Sequence, residues 1–383
     1  MTRKPLFLVN FMKKKSSSGP EKRFSRILMK WDKDQNKRLM PWKGEKDPYK
    51  VWLSEIILQQ TRVEQGRDYY ERFIQSFPTV TALAEAPDDA VFKLWEGLGY
   101  YTRCRNLLAS ARFIAYELKG IFPQTYEDIL NLKGVGPYTA AAIASFAYGL
   151  PHAVIDGNVI RVISRIFGIA APLKESGSAQ IYKMLADELL DKSNPAEYNQ
   201  AIMDFGALVC KPRQPLCQTC PLQTDCEAYR NGWVDQLPVK SAPLEKRKRY
   251  LHYLVFHYNG KVYCRKREGK DIWQNLFEFY LYESKKLLSA RKLESAPFFT
   301  EMLQGINYRI HYISPVYKQQ LTHQQLSGRF FEIIVDHKPA GMEGFIAIEE
   351  NRISTLAMPR FILSYLHEKN VNLNTLKAGI KDR

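Results

Sequence analysis

Glu55 is the sole charged residue in the run Val51–Thr61, VWLSEIILQQT. A carboxyl among apolar neighbours loses water, which favours its neutral form and raises its pKa. Such a group donates a proton near neutral pH. The same position also fits an ordinary glutamate on the open side of a half-buried helix. Asp156 lies in AVIDGNVIRVISRIF, after an apolar stretch and directly before a helical pattern. Aspartate there can serve simply as an N-cap. The positive end of a helix also keeps a carboxylate ionised. One carboxyl driven toward neutrality and a second held charged is the pairing used to break glycosidic bonds. The acid protonates the leaving group, and the carboxylate stabilises or attacks the cationic sugar.

A second constellation is made of thiols. Cys210, Cys217, Cys220 and Cys226 follow the spacing Cys-x6-Cys-x2-Cys-x5-Cys. Four thiolates in one short loop can wrap a metal centre. The intervals do not repeat the paired CxxC of common zinc sites and fit a 4Fe–4S cube better. Zinc stays open on ligand identity alone, and disulfides are disfavoured because no secretion signal is evident. Lys211 and Arg213 make the loop a rigid presenter of positive charge. The remaining thiols, Cys104 and Cys264, suit a reducing, cytoplasmic setting.

A third feature is the turn Leu132-Lys133-Gly134-Val135-Gly136 between helical patterns at Tyr126–Leu130 and Thr139–Ala147. Two glycines in a tight turn that opens a helix aim backbone N–H groups at an anion. An ordinary helix–helix turn has the same composition. The partner class follows from charge: the 383-residue chain has a formal net charge of +16 and a pI near 9.4. Such an excess favours nucleic acid or an anionic membrane. No run approaches the ~18 apolar residues of a membrane span. The hairpin therefore reads as a phosphate grip that positions without reading sequence.

The elements that must position these groups fall into two classes. Phe24–Tyr229 carries apolar residues at helical spacing, as in Leu53, Ile56 and Ile57, with almost no strand signal. Residues 1–22 read as a basic, disordered tail, with an organelle transit peptide as the alternative. Residues 231–248 are polar, with Pro238, Pro243 and a basic run, and read as a linker. Strand periodicity then begins: Tyr250–Tyr258, the turn Asn259–Gly260 and Lys261–Lys266 form a hairpin. Further strand-like segments lie near 308–312, 330–335 and 344–348, and 361–367 reads as a closing helix. The expected architecture is multidomain: an all-α body over 23–230 with its metal loop at 210–226, an α+β domain over 249–370, and a tail over 371–383.

The stretches PYKVWLSEIILQQTRV, WEGLGYYTRCRNL, LKGVGPYTAAAI, VIDGNVIRV and YNQAIMDFGALVC together resemble the helix-hairpin-helix DNA glycosylases, and within them the adenine-excising MutY family. The resemblance covers nearly all of Phe24–Glu368. It implies a base-excision-repair enzyme that hydrolyses the N-glycosidic bond of adenine opposite 8-oxoguanine or guanine in duplex DNA. It also implies a structural 4Fe–4S cluster on the four cysteines and a monomer that works away from membranes. Glu55 would protonate adenine N7, with Asp156 stabilising the sugar and Tyr138 and Asn158 supporting Asp156. Tyr138 stands where endonuclease III has its Schiff-base lysine, which implies a monofunctional enzyme. Gln60 and Tyr100 match residues that push into the base stack, beside the hairpin Gly134, Val135 and Gly136. Gln200 and Asp204, at i and i+4, match contacts near the adenine pocket or form a surface pair. The C-terminal domain resembles the Nudix-like domain that recognises 8-oxoguanine, without the pyrophosphatase signature. There Leu321-Thr322-His323 replaces the common Phe-Ser-His, and Thr322 and His323 would contact the lesion. The alternatives are a mismatch thymine or oxidised-pyrimidine glycosylase, and a non-catalytic DNA-binding redox module.

Overall fold

The protein is described by a computed structural model covering residues 20–172, 175, 177–239 and 245–369. The tail expected over 371–383, and residues 1–19 of the tail expected over 1–22, lie outside the described residues. The first helix among the described residues, α1 (Pro20–Gln35), begins inside the stretch expected to be disordered. Proline suits a helix start, where its missing N–H is not needed. Phe24, Leu28 and Trp31, at helical spacing, are buried and fix its inward face.

Two compact units emerge. The first comprises Met1–Ala84 and Asn106–Ala242, and the second Glu85–Arg105 and Pro243–Arg383, each over its described residues. The helical body expected as one span is therefore interrupted, because residues 85–105 group with the C-terminal sheet.

In the first unit, α2 (Pro48–Leu58) starts at Asp47, whose carboxylate accepts the Tyr49 N–H at 2.9 Å. Every residue from Val51 to Ile57 is buried, so this helix is enclosed all round. The helix α3 (Tyr126–Leu130) is capped by Thr125 and leads into the glycine turn. α4 (Pro137–Tyr148) opens with proline at its first position and ends at Gly149, whose φ of +65° is the usual left-handed stop. α5 (Gly157–Phe167) is capped by Asp156, and α6 (Pro195–Leu208) packs against α1, α4 and α5. The contact of α2 with α4, and of α5 with α6, brings the segments of interest together. Val154, Val162, Ile163, Ile202 and Phe205 are among the residues of the shared core.

The second unit is built on a sheet in the order β3-β2-β1-β7-β5, from β1 (Arg247–Tyr258), β2 (Lys261–Lys266), β3 (Phe277–Glu278), β5 (Tyr308–Ile313) and β7 (Gln324–Val335). β4 (Tyr280–Ser284) pairs with β1, β6 (Tyr317–Gln320) with β7, and β8 (Ile346–Glu349) with β2. The β1–β2 turn has positive φ at both Asn259 and Gly260, the geometry that matches strand twist in a two-residue hairpin. β1 starts at Arg247, inside the basic run expected to be linker. The reason is local: the Arg249 guanidinium is bound by Asp271 and Glu283 at 2.7–2.9 Å, so it is 7% exposed. A helix over 360–369 closes this unit.

β1 and β7 run parallel from Arg247↔Gln324 to His257↔Ile334. At this seam a Cβ on Gly328 would sit 2.4 Å from the Leu251 carbonyl oxygen and 3.0 Å from the Phe361 ring. Gly328→Ala is expected to cost about 1–3 kcal/mol by overpacking, with denaturant unfolding as the measurement; unchanged stability would mean the two strands do not approach this closely.

Candidate active site

The apolar wrapping of α2 decides the state of Glu55. It is 6% exposed, and burial pushes its pKa up to about 7. The Tyr138 hydroxyl bonds to its carboxylate and opposes the shift, while the charge of Asp156 adds to it. Tyr138 is the second residue of α4, so the glycine turn that launches this helix also delivers the phenol to Glu55. The phenol's own pKa is raised, first by burial and then by the two carboxylates, so it remains a donor. Its oxygen also lies 3.5 Å from Met203 Sδ.

Asp156 sits at the N-terminus of α5, as expected. Its Oδ1 accepts the Val159 N–H and its Oδ2 the Asn158 Nδ2, both at 2.7 Å. Burial raises its pKa, against the helix-end position expected to favour its ionised form. The bonds from Val159 and Asn158 and the charge of Arg161 act against that shift. Burial thus raises the pKa of both carboxyls, with dedicated donors opposing the shift on Asp156.

Arg161, one turn along α5, is a residue that the sequence motifs did not single out. It donates to Asn158 Oδ1 at 2.8 Å, to the Gly206 carbonyl at 2.7 Å and to the Cys210 carbonyl at 2.7 Å. Gly206 is required for this approach, since a Cβ there would lie 2.7 Å from Asn158 Cβ. Asn199 was missed too. Fully buried on α6, it accepts the Val154 N–H at 3.2 Å and donates to the His152 carbonyl at 2.8 Å and to Ser145 Oγ at 2.9 Å. It fixes the segment that leads to Asp156. No spacing rule marks an isolated buried asparagine.

Of the two readings of Asp204, the structure removes the surface pair, because the residue is fully buried. Its carboxylate already accepts from Asn36 at 2.9 Å, Arg38 at 2.8 Å and Lys43 at 3.1 Å. Gln200, on the same helix, is half-buried. In the hairpin, Gly134 has φ +83° and a Cβ there would lie 2.6 Å from Asn106 Cβ. The Val135 side chain is buried, so contacts from this turn would come from backbone. Gly136 occupies the N-cap of α4. Gln60 is exposed directly after α2, with φ +57°.

The four loop cysteines are all free thiols. Burial raises the pKa of Cys217, Cys220 and Cys226, and the charges of neighbouring thiols, Cys210 first, add to the rise. Four thiols close enough for their charges to interact are a donor set of the chemistry that suits a thiolate-bound metal centre. Among the described residues no three His, Cys, Asp or Glu side chains form a ready cage for a single ion. Arg165 holds the loop through Cys210 Sγ at 3.5 Å and the Lys211 carbonyl at 2.8 Å.

In the second unit, the Tyr100 hydroxyl lies 2.9 Å from Thr322 Oγ1. Tyr100 is 47% exposed with φ +48°. The loop is pinned by the Arg247 N–H to the His323 carbonyl at 3.0 Å and by Leu321 N–H to the Gln324 carbonyl at 2.8 Å. Thr322 and His323 are both exposed.

Residues 53–185 match the family model of the HhH-GPD superfamily base excision DNA repair proteins. The adenine DNA glycosylase of Buchnera aphidicola subsp. Baizongia pistaciae is 32% identical over 309 residues, 77% of this chain and 85% of that protein. The adenine DNA glycosylase of Rattus norvegicus is 44% identical over 227 residues, 56% of this chain and 44% of that protein. Among solved structures, a thermostable thymine-DNA glycosylase is similar with a TM-score of 0.52 and 28% identity, covering 55% of this chain and 97% of its own.

The raised pKa of Glu55 gives a stability test. Below its unfolded value near 4.5 the carboxyl is neutral in both states and costs nothing. As pH rises toward 7 and beyond, the unfolded chain ionises freely while the folded one must bury the charge, so stability is lost. Glu55→Gln should match the wild type at pH 4 and gain on it by about 3 kcal/mol at pH 8, at 1.36 kcal/mol per pK unit, measured by urea unfolding across pH. Parallel curves would contradict the buried, raised carboxyl.

Proposed function

The chain belongs to the adenine DNA glycosylase family, and on that premise we propose that it hydrolyses the N-glycosidic bond of adenine opposite 8-oxoguanine or guanine in duplex DNA without cutting the strand. The observation that carries the reading is Glu55: a buried carboxyl whose pKa lies near 7, beside Tyr138 and Asp156. A purine leaves more readily once protonated, and adenine N7 is the basic site that such an acid serves. The target base must leave the stack, at a cost of a few kcal/mol. Backbone N–H groups of the glycine hairpin would hold phosphate while Gln60 and Tyr100 fill the gap. Gln200 would line the base pocket.

The proton then passes from Glu55 to the departing base. Asp156, oriented by Asn158 and the Val159 N–H, faces the positive charge that grows on the sugar. Its raised pKa suits this task, because a carboxylate that is costly to bury gains most when a cation forms beside it. Water completes an abasic product. Tyr138 in the position of an amine supports hydrolysis alone, since a phenol cannot form a Schiff base. Cys210, Cys217, Cys220 and Cys226 would hold a 4Fe–4S cluster whose contribution is structural. Thr322, whose hydroxyl meets that of Tyr100, and His323 would contact 8-oxoguanine. The likeness to a thymine-DNA glycosylase covers 55% of the chain, against 77% for an adenine-acting relative, which favours adenine as the excised base.

Single-turnover incubation with adenine opposite 8-oxoguanine, adenine opposite guanine and thymine opposite guanine tests this, with strand breaks scored with and without alkali. Adenine release with alkali-dependent breaks is expected, and Glu55→Gln and Asp156→Asn should each lose at least about 100-fold in rate while still binding DNA. Near wild-type turnover in either variant, or thymine release, would overturn the assignment. Replacing Thr322 and His323 together by alanine should shrink the preference for 8-oxoguanine over guanine. An unchanged ratio would remove that loop from lesion recognition.

A further inference from the structure

The three residues after α2 form a turn with an unfavourable occupant. The Leu58 carbonyl accepts the Thr61 N–H at 3.1 Å. Gln59 between them has φ −54° and ψ 111°, and Gln60 has φ +57°. This is the pattern of a type II turn, whose second central position takes positive φ and therefore favours glycine. Glutamine holds that place here and is exposed. Strained backbone of this kind persists only where its surroundings over-determine it, and it marks sites where the side chain has work to do.

The over-determining contact comes from the neighbouring residue. Gln59 Nε2 donates to Thr139 Oγ1 at 3.2 Å. Thr139 is 2% exposed, on the first turn of α4, beside Tyr138 and three residues past Gly136. The Gln59 carbonyl is approached by Thr61 Oγ1 at 3.5 Å. The turn is thus moored, through one side-chain amide, to the helix that follows the glycine hairpin.

We infer that Gln59 and Thr139 are positioning residues that clamp this turn and hold Gln60 ready to enter the base stack. The inference rests on the reading of Gln60 as the residue that fills the vacated space. A free turn with glutamine at positive φ would relax toward other backbone states, and each insertion would then have to restore the geometry. With the clamp closed, the wedge and the phosphate-holding hairpin share the frame of α4, so gripping the backbone also aims the wedge. Thr139 acts through Gln59 and touches no reacting atom. A buried threonine of this kind is otherwise only a satisfied core residue, and the two roles separate in kinetics.

The test uses the full chain and a duplex with adenine opposite 8-oxoguanine and 2-aminopurine beside the adenine. Stopped-flow fluorescence then reports unstacking before the bond breaks. Thr139→Val keeps shape and removes the acceptor, and should slow the rise about tenfold. Thr139→Ser should restore it, and Gln59→Ala should match Thr139→Val. The double variant Gln59→Ala/Thr139→Val should be no slower than either single, and the pH profile of excision set by Glu55 should not move. Wild-type rise in Thr139→Val, failure of serine to rescue, or additive losses would each overturn the clamp. If Thr139→Val does not fold, the half-exposed Gln59→Ala decides alone by the same rise. Gln60→Ala separates the layers: a wild-type rise there overturns the wedge reading and the clamp with it. A slow rise there with normal Gln59→Ala and Thr139→Val overturns only the clamp.

Discussion

A carboxyl buried without a cationic partner among the described residues is the constraint around which the helical unit is organised. Removing Glu55 from water favours its protonated form, which is the form the proposed proton donor needs. Among the described residues the cost of its ionised form is moderated by the Tyr138 hydroxyl rather than by a salt bridge, which would have pulled its pKa down, against the proposed role as an acid. The enclosure has to come from several directions. α2 supplies the apolar surround, α4 the Tyr138 hydroxyl and α5 the second carboxyl. The helix starts at Pro48, Pro137 and Asp156 are therefore chemical as well as structural decisions. Each fixes where a functional side chain emerges.

Asp156 illustrates how capping and chemistry share atoms. Its two oxygens satisfy the Val159 N–H and the Asn158 amide, bonds any N-cap would welcome. Asn158 is in turn held by Arg161, whose other bonds go to backbone carbonyls at Gly206 and Cys210. A buried guanidinium that spends its donors on carbonyls binds chain segments rather than charges. It ties the first cysteine of the loop to the cap of α5.

Much of this was legible before any coordinates. An isolated acid in an apolar run, an aspartate ahead of a helical pattern and a glycine pair between helices each have a local physical meaning, and the structure puts Glu55, Tyr138, Asp156 and Asn158 in one neighbourhood. The hairpin at Asn259–Gly260 was equally plain, because its turn chemistry is contained in two residues. What escaped depends on distant partners. Asp204 could not be distinguished from a surface acid, since Asn36, Arg38 and Lys43 come from far earlier in the chain. The strand start at Arg247 was hidden because a basic run looks solvated until Asp271 and Glu283 surround Arg249. The effect of burial on Asp156 opposes its helix-end position, and only packing reveals which dominates. The parallel pairing of β1 with β7 leaves no local trace.

The grouping of Glu85–Arg105 with the C-terminal sheet carries a consequence for how the chain is made. Synthesis delivers the N-terminal segments first, and domains tend to fold as units as they emerge. Here the helical unit can gather its later helices while the stretch around Tyr100 still lacks the sheet it belongs to. That stretch must wait until β7 has left the ribosome, because β1 pairs along its length with β7. Such distant pairing is slow to form. During translation the nascent chain therefore carries an unfinished insert within an otherwise assembled body. The hydroxyl pair Tyr100–Thr322 can close only after more than two hundred further residues have been made. A truncated product would keep the helices and lose the setting of the one wedge candidate that the insert carries.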